Sequence, residues 1–230
     1  MAALLPPRVG RHFDLVVFDW DGTLADSTSL IAGALQNACR DIGSPVPDDL
    51  SARYVIGLGL RDALRHLVPE LDPAEYPRLS ARYRDHYVSR EESVPLFRGA
   101  RELLDGLRLH GCMLAVATGK SRLGLDRALD FHDLRHAFDA TRCADEGLPK
   151  PDPDMLLHLM QRLGVHADRV VMIGDTTHDL QMAAAAGVRS IAVTHGAHSR
   201  DALAAATWGT CADLRELCVL LGVSPGDASG

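Results

Sequence analysis

No stretch of the 230-residue chain approaches the ~20 consecutive apolar residues that a membrane-spanning helix needs. A secretory leader is not expected either, because Pro6-Pro7 interrupt the short apolar start. Residues 1 to about 11 read as a loose tail. Basic residues are the minority: 24 Lys and Arg stand against 31 Asp and Glu, a net charge of −7. That balance argues against nucleic acid or an anionic membrane surface as the main partner. It leaves room for an anionic substrate at a locally positive site. The five cysteines (Cys39, Cys112, Cys143, Cys211, Cys218) are an odd number and include no C-x-x-C pair. They are expected to be buried free thiols of a reducing, cytoplasmic location rather than disulfides or a zinc site. No G-x-G-x-x-G follows a strand pattern, so a dinucleotide cofactor is not expected. His132 and His136 have the spacing of a zinc-binding helix, but Asp133 replaces the glutamate base and no third ligand is near in sequence. The pair reads as solvated or capping.

What the chain does have is apolar material, 47% of residues, enough for one large domain or a core plus a smaller one. Leu15 to Phe18 has the β-branched and aromatic composition of a strand buried on both faces. Asp26 or Ser27 can cap a helix carried by Leu30, Ile31, Ala34, Leu35 and Ala38, which stops near Gly43. From there to about Pro95 the pattern stays helical, over 51–55, 60–68 and 73–89, without a convincing strand. Such a block, inserted straight after the first strand of a sheet, is expected to be a separate small domain, or cap. Beyond Leu96, helices (101–109, 123–129, 152–163, 177–186) alternate with strands (113–117, 138–142, 169–173, 190–193), and helices 201–206 and 214–221 follow. This alternation predicts an α/β fold with a parallel, doubly wound sheet.

The first strand runs out into Asp19-Trp20-Asp21-Gly22. Two carboxylates thus stand at the carboxyl end of a buried strand, where open α/β sheets bind ligands. The chemistry they could support is phosphoryl transfer. Asp19 would be the nucleophile that forms an aspartyl phosphate. Asp21 would protonate the leaving alkoxide and then act as the base that activates water. An anion attacking an anion needs its repulsion cancelled, which implies Mg²⁺ with oxygen ligands. A strand followed by an Asp-Gly turn is common, so other strand ends must supply cations and a second carboxylate. Thr118 ends the 113–117 strand with a hydroxyl and N–H groups suited to a phosphate oxygen. Lys150, stiffened between Pro149 and Pro151, could neutralise both the phosphate and Asp19. Gly174-Asp175 through Asp179 puts two carboxylates four apart. Asp175 would be the second metal carboxylate, with Asp179 behind it holding Lys150 or a water of the metal. Asp175 or Thr176 could also cap the helix that follows.

Together and in order, these fragments resemble the motifs of the haloacid dehalogenase-like superfamily of phosphotransferases: Asp19-Trp20-Asp21-Gly22-Thr23-Leu24, Thr118, Lys150, and Gly174-Asp175 through Asp179. The resemblance runs from Phe13 to about Leu221. It implies a Rossmann-like core of residues 1–24 and 96–230, with a helical cap of the type-one class over residues 25–95. It also implies Mg²⁺ held by Asp19, Asp175 and the backbone carbonyl of Asp21. The D-G-T-L-A-D-S wording is most similar to the phosphoglycolate phosphatase-like branch. The implied activity is hydrolysis of a small phosphomonoester, phosphoglycolate-like or a sugar phosphate. The implied partner is that metabolite alone, with no nucleic acid or membrane, and the protein a monomer or small homo-oligomer.

Two features bear on the substrate. Gly119 stands where phosphatases of this branch often carry Asn after the phosphate-binding Thr118, which removes a side chain that could touch the substrate. Lys120 either compensates or caps the next helix. Gly57-Leu58-Gly59-Leu60-Arg61 resembles the loop that such caps lower onto the core. Arg61 is therefore a candidate for a substrate carboxylate or second phosphate, since guanidinium suits planar anions. A dehalogenase has no use for an acid to protonate halide, so Asp21 argues against it. A sugar-phosphate mutase shares the core and would yield isomerised sugar phosphate instead of free phosphate. A non-catalytic phospho-acceptor module would leave Asp21 and the cap without a role.

Overall fold

Strand β1 (Leu15–Phe18) sits at the centre of the sheet in the computed structural model, which describes residues 13–206 and 208–223. With β2 (Met113–Thr118), β3 (Ala140–Cys143), β4 (Val170–Gly174), β5 (Arg189–Val193) and β6 (Thr210–Cys211) it forms a parallel sheet in the order β3-β2-β1-β4-β5-β6. Side chains alternate across a strand, so β1 supplies two cores. Val16 and Phe18 pack with Leu114, Val116, Val171 and Ile173 on one face. Leu15 and Val17 pack with Ala115, Ala117, Val170 and Met172 on the other.

Helices cover both faces, which is why these strands read as continuous apolar runs. Helices α1 to α4 are Thr28–Ile42, Asp49–Tyr54, Leu60–Leu67 and Tyr76–Val88; α5 is Ala100–Leu109, α6 Arg122–Phe131, α7 Asp154–Leu163, α8 Thr177–Ala185 and α9 Leu214–Leu221. Leu103, Leu104 and Leu107 of α5 and Leu214 and Leu217 of α9 join the first core. Met155, Leu156 and Leu159 of α7 and Met182 and Ala183 of α8 join the second. The strand order reverses between β1 and β4, the crevice where open α/β sheets take ligands. Asp19 leaves β1 there, its N–H donating to the Ile173 carbonyl at 2.9 Å, and Asp175 leaves β4 beside it.

Between β1 and α5 the chain makes α1 to α4, and a third apolar cluster joins α1, α3 and α4 with Val55 and Ile56 just after α2. Ile31, Leu35 and Ala38 of α1 meet Ala63 and Leu64 of α3 and Leu79 and Tyr87 of α4. Gly43 ends α1 at φ 74°, the left-handed conformation glycine adopts freely. Ser27 occupies the capping position of α1, yet its side chain makes no capping hydrogen bond and turns to Asp21 instead.

Two segments differ from the sequence expectation. Residues 201–206 hold a 3₁₀ turn, Ala202–Ala205, in which only Leu203 is buried, so little tertiary packing supports a longer helix there. Strand β6 pairs only Thr210 and Cys211 with β5, too few residues to show a periodicity. All five cysteines are buried and free, as expected. No helix among the described residues is long and apolar enough to cross a membrane. The loose tail read at residues 1 to 11 lies outside the described residues.

Truncating the helical cluster tests its packing. Leu35→Ala, at a buried position, is expected to lower unfolding stability by about 2–5 kcal/mol. Leu50→Ala, where the side chain is 79% exposed, is expected to stay within about 0.5 kcal/mol. Urea unfolding followed by circular dichroism reads both.

Candidate active site

Lys150 reaches the end of β1 from the loop between β3 and α7 and is buried there. Its Nζ donates to Asp19 Oδ1 at 2.7 Å and to Asp179 Oδ1 at 2.6 Å. The other oxygen of Asp179 accepts from the N–H (3.1 Å) and hydroxyl (2.7 Å) of Thr176, and Thr176 caps α8 in a reciprocal capping box with Asp179. Asp179 thus has both oxygens engaged, one on the helix end and one on the lysine. Asp175 accepts from the Thr23 hydroxyl on Oδ1 (2.8 Å) and from the Ala197 N–H on Oδ2 (2.7 Å). Gly22, at φ 85°, passes so close that a Cβ there would collide with the Asp175 carboxylate.

Carboxylate oxygens of Asp19, Asp175 and Asp179 all lie within 4.8 Å of one another. Three carboxylates face one ammonium, so two negative charges are uncompensated in a buried space. Burial, and then the neighbouring carboxylates against the pull of Lys150, raise the Asp19 carboxyl to about 7. Burial and the charges of Asp19 and Asp179 push Asp175 well above the usual carboxylate range. For Lys150, burial works to discharge it, but Asp179 and Asp19 outweigh burial and hold it above the ordinary lysine value. Asp19 Oδ2 is buried without a hydrogen-bond partner. An orphaned carboxylate oxygen amid two surplus negative charges is what a divalent cation with oxygen ligands would satisfy. Asp19, with its orphaned oxygen, and Asp175, whose partners are a neutral hydroxyl and an amide, fit that cation, whereas the charge of Asp179 is already paired with Lys150.

Asp21 stands next to this cluster. Its Oδ1 accepts from the Ser27 hydroxyl at 2.7 Å and faces Lys120 Nζ at 3.3 Å. Lys120 Nζ also donates to the Tyr87 hydroxyl of α4 at 2.7 Å. It is therefore not the cap of α6, a task performed by Ser121, whose side chain accepts from the Gly124 N–H. Thr118 is buried at the end of β2, its Oγ1 accepting from the Lys120 N–H at 3.2 Å. At Gly119, a Cβ would lie 2.6 Å from the carbonyl oxygens of both Gly57 and Leu58. The absent side chain thus makes room for the backbone of the 57–59 loop.

Arg61 is placed differently from the other candidates. It is exposed on the first turn of α3 and lines a groove of about 1070 Å³ with Arg65, Glu70 and Tyr76, not the cluster around Asp19. His132 packs near Trp20 and Phe131 while His136 is exposed, so that pair builds no site.

Sequence reasoning missed a seam between the inserted helices and the sheet. The Tyr54 carbonyl at the end of α2 is met by His178 Nε2 at 2.8 Å and His198 Nε2 at 3.0 Å. His198 Nδ1 accepts from the Thr177 N–H at 3.0 Å, which leaves its Nε2 as the protonated, donating nitrogen. The only sequence signal was that His178 lies within the fourth motif. Nothing local marked His198 or Tyr87.

A family model described as haloacid dehalogenase-like hydrolase matches residues 16–193. The chain belongs to that family. Among curated relatives, the probable phosphatase IndB of Dickeya dadantii is 41% identical over 199 residues, covering 84% of this chain and 86% of that protein. The tyrosine-protein kinase PtkA of Mycobacterium tuberculosis is 34% identical over 189 residues, 81% of this chain and 64% of that longer protein. A phosphoglycolate phosphatase of Aliivibrio fischeri is 32% identical over 192 residues, 79% of this chain and 84% of that one. A solved structure of a predicted phosphatase from Clostridium acetobutylicum superimposes with a TM-score of 0.79 at 26% identity, covering 91% of this chain and 99% of that chain. Within the family, the chain is a phosphatase, a phosphoric monoester hydrolase.

The carboxylate cluster makes stability depend on pH and cation together. Asp19, raised to about 7 from an ordinary value of 3.8, contributes stability that is complete below pH ~4 and lost as pH rises through about 7. Without a divalent cation the melting temperature is expected to fall between pH 5 and pH 8. A saturating divalent cation should raise it by about 5–10 °C at pH 8 and much less at pH 5. Asp175→Asn should remove most of the rise. Thermal shift with and without chelator measures this, and an equal rise at both pH values would refute the assignment.

Proposed function

We propose that this phosphatase hydrolyses a small phosphomonoester, phosphoglycolate-like or a sugar phosphate, in a Mg²⁺-dependent reaction through an aspartyl phosphate on Asp19. The observation that carries this reading is the pairing of roles at the end of β1. Asp19 is buried against the Lys150 ammonium, while Asp21, two residues on, is held apart from it by Ser27 and Lys120. The name of the phosphoglycolate phosphatase relative supports the substrate class, and that of IndB the phosphatase reading.

In this reading the Asp19 carboxylate attacks phosphorus. The leaving oxygen takes a proton from Asp21, and Asp21 then takes a proton from the water that attacks the aspartyl phosphate. Lys150 offsets the charge of the phosphoryl group and keeps Asp19 oriented, with Asp179 fixing the lysine. Thr118 donates its hydroxyl to a phosphoryl oxygen, and the N–H groups of the Thr118-Gly119 turn face the same group. Asp19, Asp175 and the backbone carbonyl of Asp21 hold Mg²⁺. When bound, that ion supplies positive charge against the two surplus carboxylates and the phosphate. Residues 25–95 act as the cap that encloses the substrate, on a core of residues 1–24 and 96–230. The enzyme works in the cytoplasm on a free metabolite, as a monomer or small homo-oligomer.

The two aspartates separate in one experiment, with an activated aryl phosphate as substrate and no nucleotide present. Its leaving group departs without an acid, yet water attack still needs the base. Asp21→Asn should release a burst of about one product per enzyme and then stall, with the phosphoenzyme trapped by acid quench. The steady rate should fall by about 10²–10⁴-fold. Asp19→Asn should give neither burst nor turnover. Steady, undiminished turnover by Asp21→Asn would reject the acid–base role.

A further inference from the structure

Two lysines flank the aspartates at the end of β1, Lys150 against Asp19 and Lys120 against Asp21. Lys150 is held between two carboxylates, Asp19 and Asp179. Lys120, with a side chain only 9% exposed, has one carboxylate, Asp21, and the Tyr87 hydroxyl. The contact with Tyr87 is a hydrogen bond and that with Asp21 an ion pair, so the ammonium keeps N–H donors for a ligand. The ammonium also lies 4.5 Å from the Tyr87 ring centroid. Burial works against its charge, but Asp21 first and then the phenols Tyr87 and Tyr83 outweigh it, so Lys120 stays protonated. Burial and the Asp21 charge push Tyr87 up to about 12, so the phenol keeps its O–H and can donate it onward.

The position of that ammonium follows from the roles of the aspartates. If Asp21 serves the leaving oxygen, a cation 3.3 Å from Asp21 Oδ1 meets whatever the leaving alcohol carries next to that oxygen. The space there is short. The 57–59 loop presses its carbonyls onto Gly119, immediately before Lys120 in the chain. Arg61, the other cation considered for this task, lies in the exposed groove beside α3.

We propose that Lys120, steadied by Tyr87, is the specificity-determining residue of this enzyme. It takes a carboxylate or second phosphate carried one or two bonds beyond the ester oxygen, so the preferred substrates are small acidic phosphomonoesters. This rests on the reading of Asp19 and Asp21 given above. In the absence of substrate, Asp21 stands in for that acidic group.

The test compares a phosphorylated 2-hydroxy acid with its primary amide, which matches it in size but lacks the charge. The wild-type enzyme is expected to favour the acid in kcat/KM by tenfold or more. Lys120→Met should reduce that preference by about tenfold to a hundredfold, the range of a lost charge-assisted hydrogen bond. The change should lie mainly in KM, because the contact exists in the ground state as well as the transition state. Equal losses on both esters would overturn the proposal. So would a wild-type enzyme that hydrolyses both equally, a comparison that needs no variant to fold. Phosphate release without preference defeats only the role of Lys120. Failure of the wild type to release phosphate from either ester or from an aryl phosphate defeats the hydrolase reading and this proposal with it.

Discussion

A buried ammonium shared by two carboxylates holds the site together. Lys150 comes from the β3–α7 loop, Asp19 from the end of β1, and Asp179 from the first turn of α8. Three segments far apart in sequence are thereby pinned to one point. Breaking such a buried pair typically destabilises by about 3–5 kcal/mol, because the partner charge is left behind without water. The arrangement tolerates a lysine this deep because Thr176 fixes Asp179 from the other side. Helix capping and charge placement are the same set of hydrogen bonds.

The sheet explains why that point lies where it does. Parallel strands deliver their carboxyl ends to one edge, and the reversal of strand order at β1 and β4 opens a crevice there. Asp19 and Asp175 are the residues that step off those two strands. Their mutual repulsion is built in by the fold, and a bound divalent cation would relieve it.

Much of this was legible in the chain because it is local. The apolar runs of β1, β2 and β4, the acidic residues that follow β1 and β4, Thr118 at the end of β2 and Lys150 between two prolines all sit within a few residues of the pattern that marks them. The contact of Lys150 with Asp19 was expected, and of the two partners left open for Asp179, Lys150 or a water of the metal, the structure shows Lys150. What escaped was the second partner of each group: Ser27 for Asp21, Thr23 for Asp175 and Tyr87 for Lys120. Thr23 and Asp175 are 152 positions apart, and no periodicity encodes a contact of that separation. Ser27 read as a helix cap because its position is one; only the packed structure shows its hydroxyl turned away. Gly119 read as a lost side chain, whereas its close contact with Gly57 and Leu58 makes it a matching surface.

The seam at Tyr54 has an evolutionary consequence. Its acceptor is a main-chain carbonyl, received by two histidines of the sheet side, so replacing the side chain at position 54 leaves the acceptor in place. The inserted helices can therefore diversify their surfaces with the anchor conserved by default. Loosening or tightening that joint falls to the histidine side, where His178 adjoins Asp179 and His198 adjoins Ala197, whose N–H holds Asp175. Changes on the inserted helices away from position 54 would leave the attachment unchanged, since the Tyr54 ring also stacks on His198 and meets His178 edge-on. Lineages altering the attachment would disturb the acidic cluster as well, which makes the joint the slower of the two to drift.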